Sequence, residues 1–197
     1  MLNNLSLRDI SLNHLRDNIA KNVSSEELFD GTILENVSMG KARVSYQDVV
    51  WALESVGLID FVNTLPKGLQ TQIVPGGKQF SNTIATKLII ARCLAERPQL
   101  LILNDLTHDM EKIDKLRLLS ILIDSNNPWT LICVSNDPLI MSACNKVVFM
   151  KDGEIVMNKP YEQMLQEADF KNVILQPNEM PNCLDSFIDE QNKDFED

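Results

Sequence analysis

Between Ser81 and Ser135 the chain alternates helix-period stretches with short, wholly apolar runs, and no other feature restricts its fold as strongly. Ser81 stands as an N-cap before SNTIATKLIIARCLAE, in which Ile84, Leu88, Ile89 and Leu94 recur at helical spacing through Glu96 until Pro98 closes the pattern. Leu100 to Leu103 (LLIL) follows, a continuous apolar run of the kind found in a strand covered on both faces. A charged helix is predicted from about Asp109 to Ile123, and Thr130 to Ser135 (TLICVS) reads as a second buried strand. Ile19 to Val23 is a further candidate strand, Gln47 to Ser55 a helix with Val50, Leu53 and Val56 in phase, and Pro138 to Cys144 a short helix. Lys146 to Met150 and Glu154 to Met157 flank Asp152-Gly153, a hairpin signature. The alternation predicts an α/β fold around a parallel sheet.

Charge narrows the function classes. The 197 residues carry 18 Lys and Arg against 28 Asp and Glu, a formal charge of −10, which argues against a general nucleic-acid or anionic-membrane binder. With 44% hydrophobic and 23% charged residues the chain can bury a core. No apolar run approaches the roughly 18 residues of a membrane helix, and the start lacks a secretory pattern, so a soluble, cytoplasmic chain is expected. Cys93, Cys133, Cys144 and Cys183 are far apart with no CxxC pair; three of them sit in apolar contexts and read as reduced core thiols, a disulfide or metal site being the lesser reading. From Glu167 to Asp197 nine acids face Lys171 and Lys193, a net of −7, leaving −3 for the rest. Residues 1–166 therefore form the predicted body. Residues 167–197, with Pro177 and Pro181, form an acidic, loosely ordered tail that is either solvated or a docking segment.

Four stretches carry a resemblance. LRDNIAKNVSSEELFDGTILENV (Leu15 to Val37) is similar to LRxxIAxVxQxxxLFxGTIxENI, and LPKGLQTQIVPGGKQFS (Leu65 to Ser81) to LPxGxxTxIxxxGxxLS. IIARCLAERPQLLIL (Ile89 to Leu103) is similar to IARALxxxPxLLIL, and KDGEIV (Lys151 to Val156) to a closing hairpin. In this order they resemble the nucleotide-binding domain of an ATP-binding cassette (ABC) exporter over about residues 5 to 165. The resemblance implies a P-loop NTPase-like α/β domain with a helical subdomain at about residues 31–97, lacking the family's N-terminal strands. It also implies a transmembrane domain and a second nucleotide-binding domain, as homo- or heterodimer, for partners, a position at the inner face of the membrane, and peptide or small-protein export.

The letters that carry the family's chemistry differ. No GxxxxGK[ST] occurs; Gly76-Gly77-Lys78-Gln79 lacks the upstream Gly and the Ser or Thr that would hold Mg²⁺, and falls in the stretch before the signature. Without that loop a triphosphate loses its main electrostatic partners, so ATP and Mg²⁺ are expected only if a partner or an upstream segment supplies it. The Walker B pair reads Asn104-Asp105: the amide removes a charge a hard cation wants, and the Asp carboxylate sits one methylene short. The signature reads Phe80-Ser81-Asn82-Thr83-Ile84, placing Cβ atoms where backbone must approach phosphate. Ser24 stands at the Q-loop glutamine, Asn136 at the switch histidine, and His108-Asp109-Met110-Glu111 at the D-loop. With His14 the only other histidine, no His, Cys and carboxylate spacing supports a metal site. The expectation is a catalytically impaired, inactive or truncated cassette-like nucleotide-binding domain. Its alternatives are a residual ABC-type ATPase working with an active partner cassette and a non-enzymatic interaction module. Phe29, Asp30 and Trp51 are the candidate coupling surface.

Overall fold

The computed structural model describes residues 11–22, 27–104, 110–167, 170 and 171. They fall into two compact units, Met1–Val134 and Ser135–Asp197. The first unit opens with α1 (Leu12–Asn18), which passes directly into β1 (Ile19–Lys21), then β2 (Gly31–Thr32), α2 (Ile33–Ser38), α3 (Tyr46–Ser55) and α4 (Ile59–Thr64). β3 (Gln72–Ile73), α5 (Asn82–Leu94), β4 (Leu100–Asn104), α6 (Lys112–Leu122) and β5 (Thr130–Val134) complete it.

β4 is the middle strand of a parallel sheet ordered β1-β4-β5, with Ile19 opposite Leu100 and Leu101 opposite Leu131. The mixed α/β class and parallel sheet expected from the apolar runs are what the molecule has. Leu101 and Leu103 are buried, as a central strand requires. β5 differs from expectation. Thr130 to Ser135 reads as a buried strand, yet Ile132 is 46% and Val134 57% exposed. Among the described residues β5 has one neighbour only, and an apolar run cannot reveal whether a second strand covers it.

The helices are fixed by their own caps. Thr32 and Glu35 form a reciprocal capping box on α2, and Ser45 and Asp48 form another on α3, each cap side chain holding the N3 amide while the N3 carboxylate holds the cap amide. The hydrogen bonds from Thr32, backbone first, hold the Glu35 carboxyl below its ordinary range. Those from the Ser45 side chain and then Arg97 do the same for Asp48. Ser81 caps α5 as the sequence predicts, its hydroxyl accepting from Ile84 N–H at 3.4 Å. α5 buries Leu88, Ile90, Ala91, Cys93 and Leu94, whereas Ile84 and Ile89 pack at the margin of the core. The common core lies between α5, α2, α3 and the inner strands, around Ile33, Leu53, Ile90 and Leu101.

The second unit contains α7 (Pro138–Ala143), β6 (Val147–Lys151), β7 (Glu154–Lys159) and α8 (Tyr161–Met164). Asp152 and Gly153, both at positive φ, make the predicted tight turn between β6 and β7. Phe170 packs edge-on against Phe149 (5.7 Å) and Tyr161 (6.3 Å), and Glu167 accepts from Lys159 Nζ at 2.7 Å. The rest of the predicted acidic tail, residues 168, 169 and 172–197, lies outside the described residues. Burial, and then the Asp137 charge, raise the Tyr161 hydroxyl above its ordinary pKa, and that hydroxyl has no hydrogen-bond partner.

Candidate functional site

Three sets of residues are singled out by the sequence: the Walker B and signature positions, the Gly-Gly-Lys string, and the surface around Phe29. At the C-terminal end of β4 the backbone of Asn104 is clasped by Asn22, a buried residue just past β1. Asn104 N–H donates to Asn22 Oδ1 at 2.8 Å and Asn22 Nδ2 donates back to Asn104 O at 3.2 Å. This ring seals β1 to β4 at the point where the resemblance expects the strand to deliver a carboxylate to Mg²⁺. Ser81 and Asn82 are exposed and Thr83 half-buried; the Ser81 hydroxyl is directed to its own helix. Asn136 is exposed in the second unit, between β5 and α7, next to Asp137, which caps α7 through Leu139 N–H at 2.9 Å. Ser24, Asp105, His108, Asp109 and the His14 side chain lie outside the described residues.

Gly76 and Gly77 serve a turn. Both have positive φ, Gly76 N–H donates to Leu28 O at 2.7 Å, and a Cβ on Gly77 would stand 2.7 Å from Leu28 Cδ1. Mg²⁺ and ATP, implied by the resemblance, are not fitted by these residues as they stand. Position 104 offers an amide, the Gly76 amide is committed to Leu28, and the signature hydroxyl caps its helix. Among the described residues no group of three His, Cys, Asp or Glu is placed to hold a metal ion. Cys93 is buried, Cys133 and Cys144 are partly so, and Cys183 lies outside the described residues.

The surface around Phe29 is more elaborately built. Phe29, 38% exposed, is fixed by a residue to which sequence reasoning gives no role, Asn36. The Asn36 Oδ1 accepts from Phe29 N–H at 3.0 Å while its Nδ2 donates to Phe29 O at 3.0 Å and Thr32 O at 3.1 Å. Arg92, equally unassigned, reaches across from α5: Nε donates to Asn36 O at 2.9 Å, Nη2 to Asn36 Oδ1 at 3.1 Å, and its guanidinium lies 5.6 Å from the Phe29 ring. Asn36 is 1% and Arg92 7% exposed, so both polar side chains of this contact are buried. Both residues sit inside the quoted stretches GTILENV and IIARCLAE, the only sequence signal that could have marked them.

Asp30 is exposed and accepts from Gln72 Nε2 at 3.2 Å. Trp51 is half-buried on α3, stacked under Arg97, whose guanidinium is 3.4 Å from the ring, and edge-on to Trp129 at 6.2 Å. Arg97 Nε also donates to Asp48 Oδ1 at 3.0 Å, so one side chain ties the start and middle of α3 to the segment entering β4. Of the three coupling candidates, Phe29 and Asp30 present side chains to solvent and Trp51 presents an edge.

No family model matches the chain. It is 26% identical to the multidrug resistance protein homolog 65 of Drosophila melanogaster over 88% of its own length and 13% of that protein's. It is 27% identical to the glutathione/L-cysteine transport system ATP-binding/permease protein CydD of Bacillus subtilis, over 82% of this chain and 29% of that one. It is 26% identical to an ATP-dependent lipid A-core flippase of Chromobacterium violaceum, over 85% and 29%. The chain thus spans less than a third of the length of these relatives. A solved structure of a bacterial Atm1-family ABC exporter with ATP bound superposes with a TM-score of 0.71 at 20% identity, over 80% of this chain and 28% of that one. No described helix is long and apolar enough to cross a membrane. The homologues of this chain are therefore ABC transporter ATP-binding/permease proteins, and its mixed α/β fold is that of an ABC exporter's nucleotide-binding domain.

Proposed function

We propose that this chain is a cassette-like domain of an exporter-type ABC transporter that contributes assembly and coupling rather than ATP hydrolysis. It works beside a transmembrane part and a second nucleotide-binding domain at the cytoplasmic membrane face. The observation that carries this reading is the contrast between the end of β4 and the Phe29 surface. Asn104 brings no charge to a magnesium position and its backbone is closed onto Asn22, whereas Asn36 and Arg92 invest at least five hydrogen bonds in one exposed aromatic segment. Buried polar networks of that kind are costly unless fully satisfied, so this one fixes the orientation of Phe29 and Asp30. Peptides or small proteins are the cargo class this reading carries from the sequence resemblance.

The test is a reconstituted complex of the full chain with its membrane partner. Phe29→Ala and Asp30→Ala are expected to reduce co-purification or transport by about tenfold, the size of one interface anchor. Asp105→Ala is expected to leave both unchanged. Loss of transport from Asp105→Ala alone, with assembly intact, overturns the reading in favour of a residual ATPase.

A further inference from the structure

The first unit holds a cleft of about 690 Å³ between the α1–β1 passage, the turn after α2 and the last turns of α5. Five cations line it against two carboxylates, in a protein whose net charge is −10. The two carboxylates are already engaged. Glu96 accepts from both Lys41 and Arg43, and Asp17 accepts from the other arm of Arg43. Those four residues form a neutral chain of ion pairs that fastens the post-α2 turn to α5 and to α1. Arg16 and Lys21, both exposed, make no ion pair among the described residues, so the cleft keeps a positive field. Ile19 and Ala20, which stand between them in the chain, and Met39, 44% exposed at the left-handed end of α2, also line the cleft. A concave surface of low dielectric concentrates such a field.

We propose that this cleft docks a short amphipathic segment of a partner polypeptide, with apolar side chains against Ile19 and Met39 and Asp or Glu side chains against Arg16 and Lys21. The inference rests on the assembly role proposed above and adds the chemistry of the partner. A bare phosphate would gain from the cations but nothing from the apolar floor, whereas an acidic amphipathic segment uses both. Occupancy also reaches the Phe29 surface through one residue, because Arg92 lines the cleft and holds Asn36, which holds Phe29.

The experiment uses the full chain and a fluorescein-labelled helical peptide of Leu and Glu, with a Leu and Lys peptide of the same length as its opposite. The acidic peptide is expected to bind and to weaken as salt rises, and the basic one not to bind. Arg16→Glu with Lys21→Glu should weaken binding by about tenfold or more. Lys67→Glu with Lys151→Glu, the same charge change at other exposed positions, should leave it within about twofold. Met39→Asp, a single surface change, should weaken it independently. Equal binding of both peptides, or equal weakening by the two double variants, overturns the proposal. So does full displacement by tripolyphosphate at stoichiometric concentration, which would make the cleft a small-anion site. ATP turnover by the chain would count against the assembly reading without touching peptide binding, so the two fail separately.

Discussion

The layer around α5 and the edge strand β5 are written in the same apolar alphabet and end in opposite states. Ile90 and Leu94 on α5 are fully buried, covered by α2, α3 and the sheet, whereas Ile132 and Val134 on β5 are about half exposed. Apolar composition supplies the tendency to bury, and only a neighbour supplies the burial. β5 has β4 on one side and, among the described residues, no strand on the other, so a row of backbone N–H and C=O groups is left without sheet partners. Among the described residues α5 is thus covered by its neighbours, and the sheet is open along one side.

The largest effect that could break this contrast is expected in the covered layer. Leu94→Ala or Leu101→Ala should cost about 2–5 kcal/mol of stability by urea unfolding, as for other fully buried leucines, and a cost under about 1 kcal/mol would mean the layer is loosely packed. Asn36→Ala comes next. It removes the side-chain acceptor of the Phe29 amide and of Arg92 Nη2, while Arg92 Nε keeps the Asn36 carbonyl, and should cost about 1–3 kcal/mol, with Phe29 and its neighbours losing amide protection in hydrogen exchange.

The helix caps should matter less. Thr32→Ala and Ser45→Ala are each expected to cost about 1 kcal/mol. They also carry a pH signature. The carboxyls of Glu35 and Asp48 are held below their ordinary values, so the folded state binds fewer protons than the unfolded one in the acid range. Their contribution is complete above about pH 5 and fades as pH falls through the ordinary carboxylate values and below. Ser45→Ala should flatten that acid limb of a thermal-unfolding profile, and an unchanged limb would remove the capping account. Tyr161 has the opposite sign in the second unit: its raised value favours the neutral phenol, so stability there should fall as pH rises past its ordinary value of 10.0. At the small end, Ile132→Thr with Val134→Thr should change stability by no more than about 0.5 kcal/mol while reducing self-association in sedimentation, because the changed groups face solvent.

Local chemistry was the most legible part of the sequence. The Ser81 cap, the Asp152-Gly153 turn, α3 and the LLIL strand each depend on residues within a few positions, and each forms close to where it is expected. What needed partners from elsewhere was not legible. TLICVS does not say what lies on its far side, and nothing near Arg92 says that Asn36, 56 residues earlier, will accept its guanidinium. For the site, the sequence shows that Asn104 is an amide but not that Asn22 closes on its backbone. Phe29 and Asp30 are surface residues, yet the buried pair that orients them, Asn36 and Arg92, hides in motif letters with no assigned role.

The central claim, scaffold without hydrolysis, is tested most directly by Mg·ATP turnover of the purified full chain, alone and with Asp105→Ala. The account predicts no phosphate release above that of the variant and no saturable nucleotide binding in equilibrium dialysis. Saturable turnover by the unaltered chain that disappears in Asp105→Ala would contradict it.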